Sequence, residues 1–186
     1  MQSAARLARD EWLALGCQRG WPEAFEELIR EMERPLLYYL AKLLRDDERA
    51  LDVLQEIWLR AFRTIRRLED PRRLRPWLYR IAHGLVVDRI RQDDARERAE
   101  QARAVTSDAA AEEDEFEAED AAAIHCALDA LDARHREVLI LHFLEAMPLA
   151  DIAAVIGLPV GTVKSRVFYG KKALRETLLR DGYGTP

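Results

Sequence analysis

Leu149-Ala-Asp-Ile-Ala-Ala-Val-Ile-Gly157-Leu-Pro-Val-Gly-Thr-Val-Lys-Ser-Arg166 reads as a short amphipathic helix, a tight glycine turn and the start of a longer amphipathic helix, which is helix-turn-helix order. Pro148 opens the first helix, Ile156 ends it, and Gly157 stands where a left-handed cap is expected. Ala153 is small where the two helices must cross, and Ile152, Val155, Ile156 and Val163 are apolar and fill the space between them. The second helix is expected over 160–179. Its buried stripe is Val163, Val167, Gly170, Leu174 and Leu178, spaced at helical period. Thr162, Lys164, Ser165, Arg166, Lys171, Lys172 and Arg175 fall largely outside that stripe. Lys42, Lys164, Lys171 and Lys172 are the only lysines in the chain, so the charge on this helix is a local concentration. Hydroxyls and cations near the start of a recognition helix reach base edges and phosphates. Thr162, Lys164, Ser165, Arg166, Lys171 and Lys172 are therefore the candidate contacts to duplex DNA. The competing reading, a solvated cationic face, suits a lone basic helix better than one that follows a helix and a glycine turn.

Working outward, two helices are expected before this unit, over 121–131 and 133–144, the second with Val138, Leu141 and Leu144 turned inward. Further upstream the composition changes. No Lys or Arg occurs over 104–133, while Asp108, Glu112, Glu113, Asp114, Glu115, Glu117, Glu119 and Asp120 crowd its middle among alanines. This reads as an acidic, flexible linker over 98–120.

The first half carries three further helical stripes. Phe25, Leu28, Met32, Leu36, Tyr39 and Leu43 mark a helix over 22–44, with a kink or restart expected at Pro35. Leu51, Leu54, Trp58, Ala61, Ile65 and Leu68 mark a second. The loop 69–73 breaks the pattern, and a third helix starts at Pro76 with Trp77, Ile81 and Leu85 inward. Arg72, Arg73 and Arg75 precede that third helix, and Arg80, His83, Arg89 and Arg91 lie on it with Trp77 and Tyr79 interleaved. Cations beside aromatic rings suit a nucleic-acid strand with unstacked bases; for Trp77, a place in the core competes with that role. The fold is therefore expected to be all-α: two small helical domains joined by the linker, spanning 21–97 and 121–181, after an extension over 1–20 that receives no role.

With 186 residues, 49 % hydrophobic and 34 % charged, the chain is large enough for two such cores, and its net charge of −5 averages over segments of opposite sign. Cys17 and Cys126 form no C-x-x-C pair, and His83, His125, His135 and His142 form no ligand pattern, so no metal or cofactor is expected. No nucleophile, base and orienting group assemble from any local motif, which points away from an enzyme. The absence of a long apolar run or a signal core places the chain in the cytoplasm without membrane insertion.

At this point the sequence resembles the extracytoplasmic-function group of sigma-70-type factors. The resemblance covers about 21–92 and 121–179. It is carried by Asp52-Val-Leu-Gln55-Glu-Ile-Trp58-Leu, by Pro76-Trp-Leu-Tyr-Arg-Ile-Ala82 with Asp88-Arg-Ile-Arg91, and by Gly161-Thr-Val-Lys-Ser-Arg166. It implies that Asp52, Gln55, Glu56 and Trp58 dock on the β′ clamp of core RNA polymerase. It implies that the second stretch, with Arg72, Arg73, Arg75, Trp77, Arg80, His83, Asp88, Arg89 and Arg91, holds the −10 element of promoter DNA, and that the third reads the −35 element. The linker would pass through the polymerase, in contact with its β subunit as well, and an anti-sigma factor is implied as a partner. Arg49 and Leu51 depart from the acidic run usual before the polymerase-binding residues, Gly84 stands in place of an asparagine, and Tyr169-Gly170-Lys171 in place of Arg-Ala-Arg. The alternative is a helix-turn-helix regulator that is not a sigma factor, with a signalling or dimerisation module in its first half. A third reading, a helical interaction protein with no DNA role, leaves the basic face of the last helix unexplained.

Overall fold

The computed structural model describes residues 4–101 and 119–183, with side chains over 4–93 and 122–183. Every regular element among the described residues is helical, and the chain separates into two compact units. The acidic linker expected over 98–120 lies largely outside the described residues.

The first unit holds α1 (Ala4–Arg19), α2 (Pro22–Leu44), α3 (Asp47–Thr64) and α4 (Leu74–Gln101), with single 3-10 turns at Ile65–Arg67 and Pro71–Arg73. Pro22 sits in the first turn of α2, where a missing N–H costs nothing. The helix continues through Pro35 without restarting, held by the buried row Leu28, Met32, Leu36 and Tyr39. It stops at Arg45, which takes the left-handed conformation (φ 55°) and donates its N–H to the Ala41 carbonyl. Asp46 then caps α3 by accepting the Arg49 N–H at 3.0 Å. The face of α3 that enters the core is Ala50, Val53, Leu54, Ile57 and Ala61. Leu51 and Trp58, expected in that row, are displaced from it: Leu51 is 49 % exposed and Trp58 is half-buried. A row centred on Val53 and Ile57 leaves both outside the inward arc at about 100° per residue.

α4 begins two residues before the expected Pro76 and buries Leu74, Leu78, Tyr79, Ala82, Leu85 and Val86. Trp77 and Ile81, expected inward, are half-buried at the edge of this face. The extension that received no role is an integral helix. Leu13, Ala14 and Cys17 of α1 are buried, and the Gly16–Ala24 approach is so close that a methyl group on Gly16 would lie 2.6 Å from the Ala24 Cβ.

The second unit holds α5 (Glu119–Asp129), α6 (Ala133–Leu139), α7 (Leu149–Ile156) and α8 (Val160–Arg180). Asp132 caps α6 by accepting the Arg134 N–H at 3.0 Å. Arg136 of α6 is almost wholly buried and donates to the carbonyls of Leu128, Asp129 and Leu131 at 2.9, 2.9 and 2.7 Å. Those acceptors lie at and just past the end of α5, where helix carbonyls lack partners of their own. The α-helix expected to run to Leu144 ends instead at Leu139 and widens into a π turn over Ile140–Leu144, closed by Glu145 N–H to Ile140 at 3.1 Å. The wider turn rotates the register, so Leu141 stays buried while Leu144, expected inward, is exposed.

Candidate nucleic-acid interface

The pair α7 and α8 forms the helix-turn-helix. Gly157 takes φ 69° and donates its N–H to the Ala153 carbonyl, and the chain turns by 105° between the two helices. Helix-turn-helix pairs cross at roughly this angle. Ile152, Ala153, Val155, Ile156, Val163 and Val167 are buried. Pro159 precedes α8, and no side-chain oxygen caps it.

On α8, Thr162, Lys164, Ser165, Lys171 and Lys172 are exposed and Arg166 is half-buried. They do not form one stripe. At about 100° per residue, Thr162, Ser165, Tyr169 and Lys172 point away from the core, Lys164 and Lys171 lie on one flank with Phe168, and Arg166 lies on the other. The Ser165 hydroxyl donates to the Gly161 carbonyl at 3.0 Å. Lys172 approaches Glu176 at 3.9 Å, and the Lys171 ammonium lies 5.6 Å from the centre of the Phe143 ring. Phe168 and Tyr169 are 65 % and 58 % exposed and pack edge to face. Neither belongs to the buried stripe that apolar periodicity marks.

In the first unit, Trp77, Arg80, Gly84, Asp88 and Arg91 recur at steps of three and four and line the solvent side of α4, opposite Leu78, Ala82 and Leu85. Arg72 and Arg73 are exposed on the 3-10 turn before it, and Arg72 donates to Glu11 at 3.1 Å. His83 is half-buried on the flank, while Arg89 is half-buried at the end of the inward row of Leu78, Ala82 and Leu85, 3.8 Å from Glu56 of α3. Two expected members of this surface are elsewhere. Arg75 is buried, and its Nε donates to both Asp10 carboxylate oxygens at 2.9 Å, so its charge is used inside the fold. Tyr79 is fully buried edge to face against Tyr39, 5.2 Å between ring centres, and offers no surface for a base.

The segment between α3 and α4 is held from below by α1. Gln18 Nε2 donates to the carbonyls of Leu68 and Ile65 at 2.6 and 3.3 Å, while Glu11 and Asp10 hold Arg72 and Arg75. Arg9 bonds Glu31 at 2.7 Å and pairs with Glu27, so it is held firmly protonated. Burial pushes the Asp10 carboxyl up by more than the neighbouring Arg75 guanidinium pulls it down.

A third surface belongs to α3. Asp52 and Gln55 are exposed, and Glu56 pairs with Arg60 at 2.7 Å. Around them stand Leu51, Leu59 and Phe62, the last two 57 % and 68 % exposed. Phe62 and Trp58 both pack edge to face on Phe25, at 5.3 and 6.3 Å. Exposed apolar side chains grouped on one helix face mark a protein-docking surface. Arg49 does not reach into this surface. It bonds Asp46 and Asp93 at 3.0 and 2.6 Å, fastening the start of α3 to α4.

Among the described residues, no group of three or more His, Cys, Asp or Glu could hold a metal, and no single helix is long and apolar enough to cross a membrane.

The profile of the family Sigma-70 region 2 matches residues 28–96, and that of Sigma-70, region 4 matches residues 121–174. The RNA polymerase sigma-H factor of Pseudomonas aeruginosa is 30 % identical over 91 % of this chain and 94 % of that protein. The ECF RNA polymerase sigma factor SigW of Bacillus subtilis is 30 % identical over 87 % of this chain and 92 % of its own length. Among solved structures, the sigma factor RpoE of Bartonella quintana, in complex with the anti-sigma factor NepR, superposes with a TM-score of 0.67 at 25 % identity, covering 82 % of this chain and 97 % of that one. CnrH, in complex with the cytosolic domain of CnrY, gives 0.65 at 26 % identity, covering 93 % and 99 %.

Proposed function

The chain belongs to the sigma-70 family, in its extracytoplasmic-function branch, and from that premise we propose how its surfaces divide the work of an RNA polymerase sigma factor. It binds core polymerase and directs initiation at particular promoters. The outer face of α3 docks on the polymerase clamp: Asp52, Gln55 and Glu56 supply polar contacts, and Leu51, Leu59, Phe62 and the edge of Trp58 supply apolar area. The solvent side of α4 holds the −10 element, with Arg72, Arg73, Arg80 and Arg91 against phosphates and Trp77 available to an unstacked base. α8 enters the major groove of the −35 element, with Thr162, Ser165 and Lys172 toward the bases and Lys164, Lys171 and Arg166 along the two flanks. The segments 21–97, 98–120 and 121–181 serve as polymerase and −10 binding domain, connecting segment and −35 binding domain. The chain contributes recognition, bond formation stays with the polymerase, and the work is done in the cytoplasm.

The observation that carries this reading is the presence in one chain of a mixed polar and apolar docking face on α3 and two separate cationic helix faces on α4 and α8. A regulator sharing only the α7–α8 pair has no use for the first two. An anti-sigma factor is a further partner. By covering the exposed apolar side chains of α3 it would keep polymerase away, as one docking face cannot hold both.

Two double variants test the division. Lys164→Ala with Arg166→Ala loses promoter-specific transcription while core polymerase is still captured. Gln55→Ala with Leu59→Ala loses capture of core polymerase while the protein stays folded by circular dichroism. If the Lys164→Ala, Arg166→Ala variant loses capture of core polymerase as fully as the Gln55→Ala, Leu59→Ala variant does, the division is wrong.

A further inference from the structure

Among the described residues, four glycines lie inside helices, and two have a structural reason to be glycine. A methyl group on Gly16 would collide with Ala24, and one on Gly170 would press at 3.3 Å on His135 and Leu139. Gly161 stands in the first turn of α8, where helix propensity matters little. Gly84 is different. It sits well inside α4 with an ordinary negative φ, and a methyl group built on it meets no heavy atom within 4 Å. Neither backbone conformation nor packing calls for glycine, and glycine is among the residues least suited to a helix interior. What glycine does provide is a surface at which another molecule approaches the backbone without a side chain in between.

The position of that notch narrows the molecule. Gly84 lies on the solvent side of α4, in line with Arg80 about 6 Å before it along the axis and Arg91 about 10 Å after it. Both arginines are exposed. The Asp88 carboxylate shares this face between Gly84 and Arg91, so a polyanionic chain crosses at the glycine itself, on the Arg80 side of Asp88, with Arg91 reaching it from beyond.

We propose that Gly84 is a close-approach point where the sugar–phosphate backbone of the melted −10 strand crosses α4 between Arg80 and Arg91. The inference rests on the −10 role assigned to this helix. It adds a contact made by the absence of a side chain, which fixes the depth at which the strand lies and hence the reach of Arg80 and Arg91 to its phosphates. A side chain at 84 lifts the strand and lengthens those contacts. The loss is indifferent to base sequence, because phosphate contacts carry none.

The experiment compares the wild-type chain, Gly84→Ala and Gly84→Leu, each assembled with core RNA polymerase. Affinity is measured for a promoter fragment already unpaired over its −10 element, across a salt series and with several −10 sequences. The melting temperature of each free protein is measured alongside. Gly84→Ala should raise the melting temperature of the first unit by about 4–8 °C. It should nevertheless weaken fragment binding about fivefold, and Gly84→Leu more, with the salt slope reduced by about one. The factor should be the same for every −10 sequence. A stabilised Gly84→Ala that binds as tightly as wild type overturns the proposal. So does a lowered melting temperature, which would reveal a structural need for glycine, and so does a loss confined to particular −10 sequences, which would assign a base contact. If the wild-type assembly does not prefer the promoter fragment to unrelated DNA, the −10 reading itself falls and takes the proposal with it. That failure shows in the wild type alone and cannot be confused with the variants' behaviour.

Discussion

Asp10 and Arg75 form a buried ion pair between α1 and the start of α4, and its energetics are those of charges out of water. Removing Asp10 leaves Arg75 buried with only the more distant Glu31 carboxylate, at 3.8 Å, to offset its charge. Asp10→Ala should therefore cost about 3–5 kcal/mol in urea unfolding of the first unit. Replacing both with apolar residues, Asp10→Leu with Arg75→Met, should recover most of that loss; a double variant as unstable as the single one would show that packing, not charge, is decisive. The Cys17 thiol offers a second check. Burial pushes it up to about 11 from an ordinary 9.0. A raised thiol contributes stability that is complete below pH 9 and is lost as pH rises through 11, because the unfolded chain ionises first. Stability should thus fall over that window, and Cys17→Ala should flatten the fall. At pH 8, folded protein should take up one alkyl group quickly, at exposed Cys126, and uptake of two would contradict the buried site. Single residues were the least legible scale in the sequence. Arg75 looked like its neighbours Arg72 and Arg73, and nothing local shows that its charge is matched 65 residues upstream. Tyr79 looked like a base-stacking ring and is core.

At the scale of elements, the positions of the helices followed from apolar period and from turn residues such as Gly157 and Pro148. Their edges and registers did not. The π turn at Ile140–Leu144, after which Met147 is buried as Leu141 is within it, leaves no mark in an apolar run. On α3, apolar period pointed to Leu51 and Trp58 as core. A docking face that is itself apolar blurs the contrast on which periodicity depends. Gly170 shows why propensity alone misleads. Alanine is favoured over glycine by ~1 kcal/mol in an open helix, but here the added methyl presses on Leu139 of α6. Gly170→Ala should fail to stabilise the second unit, and Gly170→Leu should destabilise it severely; a clear rise in melting temperature for Gly170→Ala would refute the close crossing. Arg45 is the converse case, a non-glycine residue in the left-handed conformation at the end of α2. Arg45→Gly should stabilise the first unit by about 0.5–1 kcal/mol in chemical denaturation.

For the molecule as a whole, the net charge of −5 conceals a division of labour. Acidic residues concentrate between the units, while cations line α4 and α8. If those carboxylates compete with DNA for the cations in the free protein, binding to polymerase would draw them away. Deleting residues 108–118, which leaves α5 intact, should therefore strengthen binding of the free protein to duplex promoter DNA, most at low salt where screening is weakest; unchanged affinity would remove the competition from the account. The central claim is that this chain confers promoter choice on a polymerase that lacks it, and reconstituted run-off transcription tests it most directly. Purified protein is combined with core RNA polymerase and a library of promoter fragments, and transcripts are mapped. The account predicts transcripts that require the protein and start downstream of a shared pair of −35 and −10 sequences. A folded protein that binds duplex DNA but neither captures core polymerase nor yields such transcripts would contradict it.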